Sequence, residues 1–239
     1  MYPNNTKGSG HMEDRWKSVD EDLRNIKITS TKNNELVTIG QYSQVLECIG
    51  VGTDAAVFKQ RYEPSFAFKV YAEDKLSKLD AEFLVYQKLG KAEWFPVLFG
   101  RGHNYLVISY EEGMTLYDCL RTGTHIPYSV LKDVEEARDD CLRKGLNPRD
   151  IHLKNILLQN GKAKLLDVSE YIHPGNDYRW NYLKQGYEEY YDLIDGKRIP
   201  LWIIESVRLL YQQSADQSFD FQVFTKKLVN RFKSFLSVK

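Results

Sequence analysis

Cysteine is scarce in this chain, and what there is has no pattern. Three thiols, Cys48, Cys119 and Cys141, are spread over 239 residues. They lack the close pairs of a zinc cluster and the even count of a disulfide framework. Reduced thiols in a cytoplasmic setting are the expectation. The five histidines are scattered and show no zinc spacing either. A long apolar run is missing, as is a signal-peptide pattern at the start, so no membrane partner is expected. Net charge is missing too: Lys+Arg and Asp+Glu are both 33, which removes the overall basic bias of a nucleic-acid binder. Repeats and low-complexity tracts are absent. What remains is 42% apolar and 28% charged, the balance of a globular chain with a substantial core. Its length suits one large domain or two small ones sharing a cleft.

The start, ending in Gly8-Ser9-Gly10-His11, reads as a tail left by cloning, with Met12 as the native start. Trp16, Val19, Leu23 and Ile26 recur at helical spacing over Glu13–Lys27, with Asp20 or Ser18 as a cap. A short strand is expected at Leu36–Ile39. Two strand-like runs then flank Gly50-Val51-Gly52, a turn whose bare backbone can approach phosphate. A dinucleotide-binding reading needs those glycines to open a helix. Ala55-Ala56-Val57-Phe58 reads as a strand, which excludes it.

Ser65–Tyr71 alternates as a strand with Lys69 at its middle, and Lys78–Leu89 is helical through Leu79, Phe83, Tyr86 and Leu89. Glu82 lies beside that apolar face and is a candidate partner for Lys69. Strands follow at Pro96–Gly100 and Asn104–Tyr110. Past Glu111-Glu112-Gly113 the composition turns helical, with Thr115–Leu120 and Ser129–Lys144, the latter closed by Gly145. Tyr171 to Tyr191 reads as an aromatic, turn-rich stretch, and Pro200–Gln212 and Ser218–Leu236 as amphipathic helices.

The most informative stretch is Arg149 to Asp167. A polar loop carries Asp150 and then Asn155, an apolar run follows, and Asn160-Gly161 separates it from a second apolar run ending at Asp167. Asn-Gly between apolar runs is the strongest short hairpin signal. The hairpin gathers three oxygen-bearing side chains at one edge. Mg2+ takes such hard ligands together with substrate phosphates. The set suits phosphoryl transfer, one carboxylate being left to orient a hydroxyl. Ordinary turn residues on a surface loop are the competing account.

Taken in order, the motifs resemble a protein kinase-like fold across about Val45 to Tyr171. Gly50 to Phe58 is similar to the Gly-rich loop, with Ala55 at the third glycine, and Ala67-Phe68-Lys69-Val70 is similar to the strand bearing the phosphate-binding Lys. Glu82 resembles its helix partner. Leu106 to Gly113 resembles the last strand and hinge of the N-lobe. Asp150-x-x-x-x-Asn155 resembles the catalytic loop, and Asp167-Val168-Ser169 stands where Asp-Phe-Gly is expected. The chain departs from the pattern where Pro148 replaces a His, where His152 replaces a Lys, at the missing Gly after Asp167 and at the missing Ala-Pro-Glu. Those departures resemble compact bacterial-type or RIO-like kinases, and the Asp150-x-His152 run also resembles aminoglycoside phosphotransferases.

The resemblance implies an α+β, two-lobed fold: an N-lobe antiparallel sheet plus one helix, and a small, mostly helical C-lobe. Its expected division is a 1–11 tail, a 12–44 extension, an N-lobe at 45–111 and a C-lobe at 112–239. It implies ATP between the lobes, with Gly50 and Gly52 near the phosphates, Val57 and Ala67 over the adenine, Ile108 behind it, and backbone of Ser109 and Glu111 at its edge. Lys69, held by Glu82, would bind the α- and β-phosphates. Asn155 and Asp167 would hold Mg2+, Asp150 would orient the acceptor hydroxyl, and His152 or Lys154 would reach the γ-phosphate. A protein Ser/Thr kinase acting on itself or another protein is the favoured function. A small-molecule phosphotransferase and a non-catalytic pseudokinase or ATPase switch are the alternatives. Asp150→Ala or Lys69→Ala is expected to abolish transfer and leave the fold intact.

Overall fold

In the computed structural model residues 12–206 are described, apart from 34 and 63. The 1–11 tail, the expected helix Ser218–Leu236 and the end of Pro200–Gln212 lie outside the described residues; residues 201–206 are helical. Two compact units follow one another along the chain, Met1–Glu111 and Glu112–Lys239.

The first unit opens with a 3-10 helix, Met12–Val19, that runs into α1, Asp20–Arg24. The single helix expected over Glu13–Lys27 is therefore split and shorter, and Val19, with no side-chain bond, stands at the cap. Asp20 cannot cap because its carboxylate is taken by the Tyr105 hydroxyl and by Arg24. The periodic residues are nonetheless the buried ones. Trp16, Val19, Leu23 and Ile26 form one core with Phe58, Phe68, Val70 and Val107. Residues 12–44 thus supply part of the core of the first unit.

Strands β1, Ile28–Thr29, and β2, Thr38–Ile39, pair with each other. A separate antiparallel sheet follows: β3, Leu46–Val51, β4, Ala55–Gln60, and β5, Phe66–Tyr71, then α2, Leu76–Leu89, then β6, Leu98–Arg101, and β7, Tyr105–Ser109. Its order is β3-β4-β5-β7-β6. Central β5 is buried along nearly its whole length, as a β-branched and aromatic strand flanked on both sides should be.

The second unit holds β8, Met114–Thr115, α3, Leu116–Thr122, α4, Ser129–Arg143, β9, Ile156–Gln159, β10, Lys162–Leu165, and α5, Arg179–Ile194. Thr115 Oγ1 caps α3 by accepting the Asp118 N–H at 3.0 Å. The hairpin closes through Asn160 and Gly161 at φ 51° and 79°, the paired positive angles a type I′ turn requires. The three-stranded sheet runs β10-β9-β8. An α+β chain with an antiparallel sheet and helix, then a mostly helical unit, is the fold class the sequence implied.

Helix α5 corrects the turn-rich reading of Tyr171–Tyr191. Aromatic residues have modest helix propensity, and tertiary packing overrides it here. Trp180 and Tyr191 are buried, and Tyr187 stacks on Tyr191 with ring centroids 4.2 Å apart. The Tyr191 hydroxyl donates to Asp195 and accepts the Ile126 N–H.

Candidate active site

In the first unit, strand register aligns five candidate residues on one face. Gly50 opposes Val57, Val57 opposes Lys69, and Ala67 opposes Ile108. Ala67 and Lys69 are two apart on β5, so alternation places both pairs on the same side. Lys69 Nζ lies 2.7 Å from Glu82 Oε2, and the Glu82 side chain is only 1% exposed. A carboxylate withdrawn so far from water needs a partner. Tyr71, two residues past Lys69 on the same face, gives it a second one by donating its hydroxyl to Glu82 Oε2. Sequence reasoning missed Tyr71, although the period of two points to it.

Backbone packing calls for a glycine at position 52, where a Cβ would lie 3.3 Å from Ala55 O, but not at position 50. Neither glycine has a positive φ, and a Cβ at Gly50 would come no closer than 3.7 Å to Val57. The Gly52 N–H is committed to Ala55 O at 2.9 Å. At the hinge the Ser109 N–H donates to Val97 O at 2.8 Å. Ser109 Oγ accepts the Val97 N–H and donates to Glu111 Oε1. An adenine edge would meet the carbonyl of Ser109, not its amide.

In the second unit both candidate carboxylates sit on left-handed backbone, Asp150 at φ 58° and Asp167 at φ 54°. For residues other than glycine that conformation is costly and collects at functional sites. Asn155 binds the two together. Its Nδ2 donates to Asp150 O at 3.2 Å, and its carbonyl accepts the Leu166 N–H at 2.7 Å. With Nδ2 turned toward Asp150, the amide Oδ1 is left as an acceptor. Asp167 Oδ1 takes the Ser169 hydroxyl at 2.9 Å.

Burial pushes the His152 imidazole below its ordinary value, against the pull of the Asp167 carboxylate. A neutral ring is a poor ligand for a γ-phosphate. Lys154 Nζ stands 4.7 Å from the centre of the Tyr117 ring. Arg149 donates to Pro174 O at 2.5 Å, so it packs against backbone.

Two residues that sequence reasoning missed complete the loop. Asp177 Oδ2 accepts the Asp150 N–H at 2.8 Å, and its Oδ1 accepts the Arg179 N–H at 3.2 Å. The Arg179 guanidinium donates to Asp150 Oδ1. Burial, and then the neighbouring Arg149 cation, lower the Arg179 pKa from its ordinary value. A guanidinium nevertheless remains a cation in proteins.

No group of three or more His, Cys, Asp or Glu able to hold a metal occurs among the described residues. One carboxylate and one amide oxygen, those of Asp167 and Asn155, are hard donors of the kind that would suit Mg2+ shared with substrate phosphates. No described helix is long and apolar enough to cross a membrane.

The site's residues and order are those of a phosphotransferase of the protein kinase-like class. Over 185 residues the chain is 31% identical to the Bacillus subtilis (strain 168) protein named "Putative serine/threonine-protein kinase YrzF", a match covering 76% of this chain and 86% of that one. The chain belongs to that family, within the protein kinase-like superfamily. No protein-family model matches it. A solved structure, WbdD co-crystallised with the kinase inhibitor LY294002, is similar at 16% identity and a TM-score of 0.46 over 81% of this chain. The match spans 46% of that protein, less than half its length.

Proposed function

We propose that this chain is an ATP- and Mg2+-dependent protein serine/threonine kinase acting on itself or on another protein. The observation that carries the reading is the Lys69–Glu82 pair at 2.7 Å, a cation held on an inward face by a carboxylate withdrawn from water. An ammonium fixed in this way is a ready ligand for the α- and β-phosphates of ATP. Gly50 and Gly52 keep the neighbouring turn bare for the phosphates. Val57, Ala67 and Ile108 give the same face its apolar surface for adenine, with Ser109 and Glu111 backbone at the purine edge.

In the second unit Asn155 and Asp167 would hold Mg2+, which when bound neutralises charge developing on the phosphates. Asp150 accepts the hydrogen bond of the acceptor hydroxyl and aims its oxygen at the γ-phosphorus. As that oxygen bonds to the γ-phosphorus, the bond from phosphorus to the bridging β–γ oxygen breaks, ADP leaves with that oxygen and its electron pair, and the hydroxyl proton passes to the Asp150 carboxylate. Positioning and charge neutralisation supply most of the acceleration in phosphoryl transfer, so few groups suffice. His152, neutral and part-buried, shapes the loop; Lys154 is the cation for the γ-phosphate.

Incubating the chain with γ-labelled ATP and Mg2+, with and without casein, tests the reading. Label on serine or threonine of acid-precipitated protein, abolished by EDTA, is the expected result. Label found only on added small alcohols or sugars would replace it with a small-molecule phosphotransferase. ATP consumption with no labelled acceptor would replace it with an ATPase switch.

A further inference from the structure

Asp150 is held by groups that the catalytic assignment does not use. Its N–H is bound by Asp177 Oδ2 at 2.8 Å and its Oδ1 by the Arg179 guanidinium. Asp177 is the hub of this arrangement. One of its oxygens holds the Asp150 amide and the other the Arg179 amide at 3.2 Å, while Arg179 Nε lies 3.5 Å from Asp177 Oδ2. Asp150 Oδ2 has no hydrogen bond among the described residues, and the side chain is 28% exposed. The carboxylate is thus pinned at one oxygen and open at the other.

We infer that Arg179, set in place by Asp177, is a positioning residue that fixes the Asp150 carboxylate so that its Oδ2 alone faces the acceptor hydroxyl. The inference rests on the reading of Asp150 as the group that orients the acceptor.

A free aspartate carboxylate turns about its terminal bond, which has a broad and roughly two-fold profile. It can offer either oxygen in many directions. A cation on Oδ1 restricts that turn, while Oδ2 stays available. The left-handed backbone at Asp150 increases the need for such a brace, because that conformation persists only where surrounding contacts over-determine it. The brace comes from the chain just beyond Asp167. Asn147 Nδ2 donates to the carbonyls of His173 and Gly175 at 2.6 and 2.7 Å, and Arg149 donates to Pro174 O. Tyr178, left-handed at φ 55°, then turns the chain into α5 with Arg179 as its first residue.

The test measures label transfer from γ-labelled ATP to the chain itself and to casein, for wild type, Arg179→Ala and Arg179→Lys, alongside their thermal unfolding. Arg179→Ala is expected to lower kcat about 10–100-fold, the range for groups that orient a first ligand, with the KM for ATP unchanged. Arg179→Lys, which keeps a cation and one donor, recovers part of the loss. A merely structural role would move unfolding and KM together and give no recovery. Should Arg179→Ala fail to fold, Arg179→Gln, which keeps the stem and a polar end, is read in its place. An unchanged kcat in a folded variant overturns the inference and leaves the kinase reading standing. A raised kcat also overturns it, since Arg179 would then obstruct the acceptor. A wild-type chain that labels nothing fails the kinase reading first, and the inference falls with it.

Discussion

Glu82 is buried and Lys69 half-buried against it, and neither can be removed without consequence for the other. Truncating one member of a buried ion pair leaves the other charged and poorly solvated, at about 3 kcal/mol or more. Tyr71 retains its hydrogen bond to Glu82 and offsets part of that. Lys69→Ala is therefore expected to lower stability by about 2–3 kcal/mol as well as to abolish transfer. Urea unfolding decides it: an unchanged midpoint would mean that the Lys69–Glu82 pair contributes nothing to stability. At this scale Asp150, Asn155 and Asp167 were legible because fixed spacing and a turn dipeptide announce them. Arg179 and Asp177 were not, since they meet Asp150 across 29 and 27 residues of irregular chain. No local periodicity encodes such a contact.

Elements are held to one another by a few close approaches. A Cβ on Gly100 of β6 would lie 2.8 Å from Trp16 Cζ2, the ring that seats the N-terminal helix on the sheet. Gly100→Ala should displace Trp16 and cost about 1–3 kcal/mol, the usual price of overpacking. The check is urea unfolding followed by tryptophan fluorescence, and a wild-type midpoint would contradict the packing described. In the second unit Glu135 of α4 ties down α5, accepting from the Trp180 indole and from Lys184 at 3.1 Å. Burial works to raise its pKa, but hydrogen bonds from Trp180, Lys184 and Arg138 hold it below the ordinary value. A lowered carboxylate stabilises the fold above its unfolded value of about 4.3 and loses that stabilisation as pH falls through the folded value. Glu135→Gln should thus melt earlier than wild type at pH 7 and converge with it near pH 3; equal melting at pH 7 would remove Glu135 as a tie.

The hairpin, the central strands and α2 were legible because period, turn chemistry and burial agree there. The N-terminal helix was legible in its buried stripe but not in its type, because Asp20 was drawn away to Tyr105. Helix α5 was hidden, since its apolar stripe is built of tyrosines that read as loop residues until their hydroxyls find Ile126 and Asp195.

For the molecule as a whole, a nucleotide that binds only the folded chain must stabilise it. At a hundredfold excess over Kd the gain is about 2.7 kcal/mol. Mg-ATP should therefore raise the melting temperature of wild type and do so much less for Lys69→Ala. An equal shift in both would place the nucleotide away from Lys69. Sequence order made the family legible, because the motifs from Gly50 to Asp167 fall in one sequence along both units. The acceptor was not legible, since no motif in the chain names it. The central claim is that Asp150 orients a hydroxyl for transfer from ATP. The most direct measurement compares the rate of label transfer by wild type and by Asp150→Ala, with matched unfolding curves. The account predicts transfer by wild type and loss of at least about a hundredfold in the variant, as for an essential group in proton transfer. Comparable turnover by a folded Asp150→Ala would contradict it.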